Sequence, residues 1–244
     1  MSKIWIVIFY CSLFLSLALM FIAFKIFHTL YGKELMTRID PVYSHTELPE
    51  KSTEFLFLGD SRIDQWKIPE SVINPDNLLN LGIDAQTSAQ VLYRAKDYFA
   101  QYYASITFIQ AGINDLKTIG FYPEKKEYIE QTTISNIKKI LILCRINKSE
   151  PVFISIFPAG RVELKRRLFW NKQVNESILK VNSDLMDYCR SNNIKTIDSY
   201  KLLSSDGLLI DQKLEEDCLH LNKLGYQRLN KALNTFLIEN RLKN

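Results

Sequence analysis

Glycine and proline are both scarce in this chain, at eight and seven of 244 residues, which excludes a collagen-like or low-complexity sequence. Cysteine is scarcer, with four residues, no Cys-x-x-Cys pair and no Cys/His spacing of the kind that holds zinc. Neither a disulfide scaffold nor a structural metal is expected. Three of those cysteines, Cys144, Cys189 and Cys218, fall in the body of the chain, so a monomer leaves at least one unpaired. A surplus of one charge sign is also missing. Lys plus Arg number 31 against 27 Asp plus Glu, a formal charge of +4, too little for the clustered basic face that nucleic acid requires. Histidine is limited to His28, His45 and His220.

What the sequence does contain begins with a run free of charge. Residues 4–24 (IWIVIFYCSLFLSLALMFIAF) are 21 uncharged positions between Lys3 and Lys25. A helix of that length at ~1.5 Å per residue spans a ~30 Å hydrocarbon core. A buried helix of a soluble domain would show a polar face over six turns, and this run has none. A cleaved leader would need small residues after the apolar run, where bulky Phe24, Ile26 and Phe27 stand. Cys11 lacks a lipobox-like setting. The expectation is a single membrane anchor over 1–32, a linker over 33–51 containing Pro41 and Pro49, and one domain over 52–244. Without 1–32 the chain keeps 29 basic and 27 acidic residues, so no polybasic attraction to lipid is implied.

From residue 52 the pattern alternates. Short runs apolar on both faces recur at 55–58, 78–81, 106–109, 152–157 and 194–197. Such runs suit a parallel sheet covered by helices. Between them lie stretches with helical spacing, about 88–103, 123–146, 172–190 and 222–241. In the last, Tyr226, Leu229, Leu233, Phe236 and Leu237 form one apolar stripe behind a potential cap at Asn222. Parallel neighbours need crossovers, so the alternation predicts one doubly wound α/β domain.

In such a sheet the chemistry belongs at the carboxyl ends of the strands. Three of those ends carry polar residues: Gly59-Asp60-Ser61, Asn80-Leu81-Gly82, and Gln110-Ala111-Gly112-Ile113-Asn114-Asp115. Taken singly, a Ser after a strand is an ordinary helix cap, a Gly an ordinary turn, and an Asn-Asp pair an Asx-turn. Before the last helix comes Asp217-Cys218-Leu219-His220. An Asp three residues ahead of a His can accept from its Nδ1–H, leaving the other ring nitrogen as a base. His220 is the sole histidine of the α/β body, and the four segments converge on one edge of the expected sheet.

Together these segments resemble, in order, the four sequence blocks of the SGNH (GDSL-type) hydrolase family. The similarity is densest over 217–229 (DCLHLNKLGYQRL), and Asn182 also matches a familiar family position. It covers the chain from about residue 54 onward. The resemblance implies a flavodoxin-like three-layer α/β/α sandwich with a five-stranded parallel sheet, and ester hydrolysis by serine. It implies Ser61 as nucleophile, His220 as general base and Asp217 as its orienting acid. The Ser61 and Gly82 backbone N–H groups and the Asn114 side chain would then form the oxyanion hole. No metal or organic cofactor has a task in that scheme. The chain departs from the family pattern with Arg62 in place of Leu and Ala85 in place of a frequent Gly. A Gly-x-Ser-x-Gly elbow is missing, which disfavours an α/β-hydrolase.

Trp66 and Arg161 are the expected substrate contacts, Trp66 with a core position as the alternative. The cations Arg161, Lys165, Arg166 and Arg167 oppose the dipole of any helix beginning among them. Either the helix starts nearer Asn171 or the cluster has an anionic partner. The expected activity is cleavage of short-chain, chiefly acetyl, esters, with carbohydrate as one carrier of the ester. Transfer of the acetyl group to a sugar by the same triad is the alternative. A non-catalytic accessory role in surface-polysaccharide assembly is a third reading, which the intact triad opposes. The domain is expected outside the cytoplasm, where an anchored esterase meets envelope substrates, although the flanking lysines lean toward a cytoplasmic-facing domain.

Overall fold

The computed structural model describes residues 3–37, 52–204 and 207–242. Contacts divide the chain into two units, Met1–Arg38 and Ile39–Asn244. The first is one helix, α1 (Lys3–Thr37). Its segment Lys3–Thr29 has a mean hydropathy of 2.6, no buried share, and enough length and apolarity to cross a membrane. The helix passes the boundary expected at residue 32, because Lys33, Glu34, Leu35 and Met36 are all good helix formers. The remaining linker positions, 38–51, lie outside the described residues.

The second unit holds five strands: β1 (Thr53–Gly59), β2 (Leu78–Gly82), β3 (Ala104–Gln110), β4 (Glu150–Ile154) and β5 (Lys195–Ile197). All neighbours pair in parallel in the order β2-β1-β3-β4-β5, the flavodoxin-like arrangement. The helices are α2 (Ser61–Asp64), α3 (Ser88–Gln101), α4 (Ile113–Leu116), α5 (Lys126–Ile146), α6 (Lys172–Ser191), α7 (Ser199–Leu203) and α8 (Lys223–Leu242). The five apolar runs and the four helical stretches read from the sequence each appear as elements. Short α2, α4 and α7 carry too few turns to leave a periodic signal.

Alternation along the strands divides the core into two layers. On one face Phe55, Phe57, Phe108, Val152 and Ile154 pack with Leu229, Leu233 and Leu237, the expected stripe of α8. Phe57 and Phe108 stack with ring centroids 4.5 Å apart. Asn222 caps α8 as its position suggests, its Oδ1 accepting from Leu224 N at 2.9 Å and Gly225 N at 3.2 Å. On the other face Leu56, Leu58, Ile109 and Phe153 are buried with Val91 and Ala95 of α3 and Ile137, Ile140 and Leu141 of α5. β4 ends at Ile154, three residues short of the predicted run, because the chain then bonds elsewhere. Ser155 N donates to Ile197 O at 3.1 Å. Asn182 of α6 then clamps Ile156, accepting its N–H and donating to its carbonyl, both at 2.8 Å.

β1 lies between β2 and β3, so the strand order reverses beside it. A crevice at the carboxyl edge is expected at that point. Gly59 makes the close approach there. A Cβ on it would stand 2.1 Å from Gln110 O, the residue opposite it on β3.

Candidate active site

The end of β1 turns directly into α2. Asp60 Oδ1 accepts from Arg62 N at 3.0 Å, which caps the helix and sets Ser61 at its first position. Among the described residues the Ser61 N–H has no partner. Ser61 Oγ lies 3.2 Å from His220 Nε2. His220 is delivered by a loop that Asp217 organises through one carboxylate oxygen: Oδ1 accepts from Leu219 N at 2.7 Å and from His220 N at 2.8 Å. The same carboxylate meets His220 Nδ1 at 3.0 and 3.1 Å. A carboxylate only accepts, so it places the ring proton on Nδ1 and leaves the Nε2 lone pair facing the serine hydroxyl. Burial pushes the Asp217 carboxyl up, but the Leu219 and His220 N–H groups and the imidazole outweigh it and hold it below the ordinary value.

Asn114, at the start of α4, is almost fully buried. Its Nδ2 donates to Gln86 O at 2.9 Å, which brings the turn at 83–86 against the β3 end. Gly82 behaves differently from expectation. Its N–H donates to Asn80 Oδ1 at 2.9 Å and is therefore engaged within its own strand end. The glycine answers a steric need instead, since a Cβ there would stand 2.0 Å from Asp64 N of α2. Ala85, where the family often has Gly, adopts a left-handed φ of 58°.

Of the two expected substrate contacts, Trp66 is not in the crevice. Trp66 is 2% exposed and sits in the core, edge-on to Phe57 at 5.5 Å, with its indole N–H on Asn230 Oδ1 at 2.7 Å. Burying the large ring with its one donor satisfied outweighs exposing it. Arg161 is exposed, and its backbone N–H donates to Glu215 Oε2 at 2.9 Å. Arg166 of that segment reaches Asp217, 3.6 Å from its Oδ2, and lies 3.2 Å from Glu163 Oε2. The neighbouring helix α6 does start late, capped by Asn171. The long helix thus begins after the cations, a short 3-10 turn over Leu164–Phe169 carries three of them, and Arg166 has anionic partners.

Arg62, one residue past Ser61, is fully buried. Its guanidinium donates from Nε to Leu219 O at 2.9 Å and from another nitrogen to Phe157 O at 3.1 Å, with its centre 5.0 Å from the Phe157 ring centroid. The residue after the serine thereby holds the residue before the histidine. Burial lowers the Arg62 pKa to about 10, and the Asp60 carboxylate opposes that. Arg94 does similar work on the other side, donating to Leu81 O and Gly59 O at 2.6 Å each and so binding the ends of β2 and β1. Lys117 donates to Asn114 Oδ1 at 2.6 Å. For metal binding, Glu163, Asp217 and Cys218 offer donors within 4.8 Å of one another, of which Asp217 already serves His220 and Glu163 already serves Arg166.

The sequence profile of the GDSL-like lipase/acylhydrolase family matches residues 53–233. The chain belongs to that family. It is a hydrolase of the esterase type. Over 197 residues it is 28% identical to the platelet-activating factor acetylhydrolase IB subunit alpha1 of Rattus norvegicus, covering 78% of this chain and 77% of that protein. A GDSL-like lipase from Bacteroides thetaiotaomicron superimposes with a TM-score of 0.64 at 20% identity, over 85% of this chain and 97% of that one. An acetylxylan esterase from Geobacillus stearothermophilus gives 0.56 at 16% identity, over 74% and 91%. At those identities the two structures establish the fold of the family domain and nothing finer.

Proposed function

We propose that this GDSL-family hydrolase is a membrane-anchored serine esterase that cleaves short-chain esters, acetyl above all, through Ser61, His220 and Asp217. The observation that carries the reading is the continuous hydrogen-bonded line from Ser61 Oγ through the imidazole to the Asp217 carboxylate. A serine hydroxyl is a poor nucleophile until a positioned base accepts its proton. In this reading Ser61 Oγ attacks the ester carbonyl while its proton passes to His220 Nε2. The imidazolium is stabilised by Asp217, and the negative charge collects on the former carbonyl oxygen. His220 then gives the proton to the departing alkoxide, which leaves as the alcohol. The acyl-serine is hydrolysed when water attacks it with His220 again as base, restoring Ser61.

The oxyanion requires donors fixed beforehand. The Ser61 N–H and the second Nδ2–H of Asn114 fill that role. The third expected donor, the Gly82 N–H, would have to leave Asn80 Oδ1 to serve the oxyanion. A preference for acetyl is supported by the name of the Rattus norvegicus relative, an acetylhydrolase.

The anchor is Lys3–Thr29, leaving the domain from residue 52 onward to act on envelope esters, carbohydrate acetates included. Ser61→Ala should abolish both turnover and labelling by a fluorophosphonate probe. Retention of parental activity in a well-folded Ser61→Ala protein would remove the mechanism. Acetate release measured with and without oligosaccharide acceptors separates hydrolysis from acetyl transfer. An inactive C-terminal alkaline phosphatase fusion, beside an active cytosolic reporter fusion, would refute the envelope location.

A further inference from the structure

Directly behind the Asn114 amide stands a cation. Lys117 Nζ is 2.6 Å from Asn114 Oδ1, while Asn114 Nδ2 is 2.9 Å from Gln86 O. The two partners have opposite hydrogen-bonding sense, since an ammonium only donates and a carbonyl only accepts. Gln86 decides which end of the amide is nitrogen, but one hydrogen bond leaves the amide plane free to swing about it. The second anchor on Oδ1 fixes the plane and leaves a single N–H uncommitted. An ammonium on the oxygen of an amide also draws electron density from its nitrogen, which strengthens the remaining N–H as a donor in a low-dielectric site.

Resting on the esterase reading above, we infer that Lys117 is a positioning residue of this enzyme, orienting and polarising Asn114 so that its free N–H meets the oxyanion of the transition state. The side chain reaches Asn114 from the turn Lys117–Gly120 that follows α4, three residues along the chain, so a residue of ordinary surface type is turned inward at the crevice. Burial lowers the Lys117 pKa, Arg166 from the segment Leu164–Phe169 adds to the lowering, and Asp60, Asp84 and Asp115 oppose it. The ammonium is therefore lost at a lower pH than for a free lysine, and the polarisation of Asn114 should fade as pH rises through that value.

The test is a double-mutant cycle on the full-length protein in detergent, with 4-nitrophenyl acetate as substrate. Lys117→Met should lower kcat about 10- to 100-fold, within the roughly 10²–10³-fold that removing an oxyanion donor costs. KM should stay within about twofold, because the interaction matures only in the transition state. Lys117→Arg should recover most of the loss and move the alkaline limb of kcat upward, since a guanidinium keeps its proton. In the Asn114→Ala background, Lys117→Met should cost about twofold or less. Equal losses in both backgrounds would overturn the inference, as would parental kcat or a change confined to KM. If Lys117→Met fails to fold, an alkaline limb left at the parental pH in Lys117→Arg overturns it as well. Failure of the esterase reading is distinguishable: it shows as turnover that survives Ser61→Ala, whatever Lys117 does.

Discussion

Arg62→Leu restores the residue usual in the family at this position, and in this protein it should be strongly destabilising. The guanidinium is 0% exposed and supports Leu219 O and Phe157 O, with Pro158 O at 3.5 Å. A leucine removes every one of those donors at once. Buried carbonyls left without a donor cost about 1–3 kcal/mol each. Asp60, also 0% exposed, loses the positive charge that most favours its ionised form. The orphaned carbonyls set the scale, about 3–5 kcal/mol in total. For a domain of this size 1 kcal/mol moves Tm by about 2–4 °C, which places the expected drop at roughly 6–20 °C. Because Leu219 precedes His220, kcat should fall as well, through a loosened base and not a missing one. Arg62→Lys should lie between, keeping the charge but losing the fork that reaches separate carbonyls. Thermal melts by circular dichroism, with kcat on an aryl acetate, make the measurement. A melting point within about 2 °C of the parent for Arg62→Leu, with unchanged kcat, would refute the reasoning.

Asn114→Ala should reduce kcat by about 10²–10³ with little change in KM, and a loss appearing only in KM would argue that Asn114 binds ground-state substrate. Ala85→Gly should raise Tm by about 1–4 °C, because relief of an alanine held at φ 58°, ~1–2 kcal/mol, exceeds the ~0.4–1 kcal/mol of added unfolded-state freedom; a lower Tm would contradict the strain. Asp115, half-buried and hydrogen-bonded to Ser88, has its pKa raised to about 6 by desolvation. The folded state therefore holds its proton longer than the unfolded chain does, and stability should fall as pH rises from about 4 to about 6. Asp115→Asn should flatten that slope in denaturant melts, and an unchanged slope would assign it to other groups. Among acyl lengths, kcat/KM should be highest for acetyl and decline toward dodecanoyl; a steady rise would point to a lipase.

The sequence by itself determined the architecture of this protein and pointed to the proposed triad. Short continuous apolar runs and period-3.6 stripes report what is buried, so the five strands, the four long helices and the stripe of α8 were all readable from it. Glycine and polar residues at strand ends mark turns at one edge, and the spacing of Asp217 and His220 is short enough for one loop to join them. Tertiary structure alone decided which side chain answers which. Ser61 and His220 are 159 positions apart, and Trp66 reaches Asn230 across 164. Nothing local in Trp66 says that its N–H will find Asn230, so only the fold could assign it to the core and not to the substrate. The same holds for Gly82, whose N–H goes to Asn80 and whose missing side chain makes room for α2. Arg62, Lys117 and Arg166 look like ordinary solvated cations in sequence. Each is turned inward because buried carbonyls, an amide oxygen or a carboxylate need a donor at that place, and that need arises only once distant strand ends have been brought together.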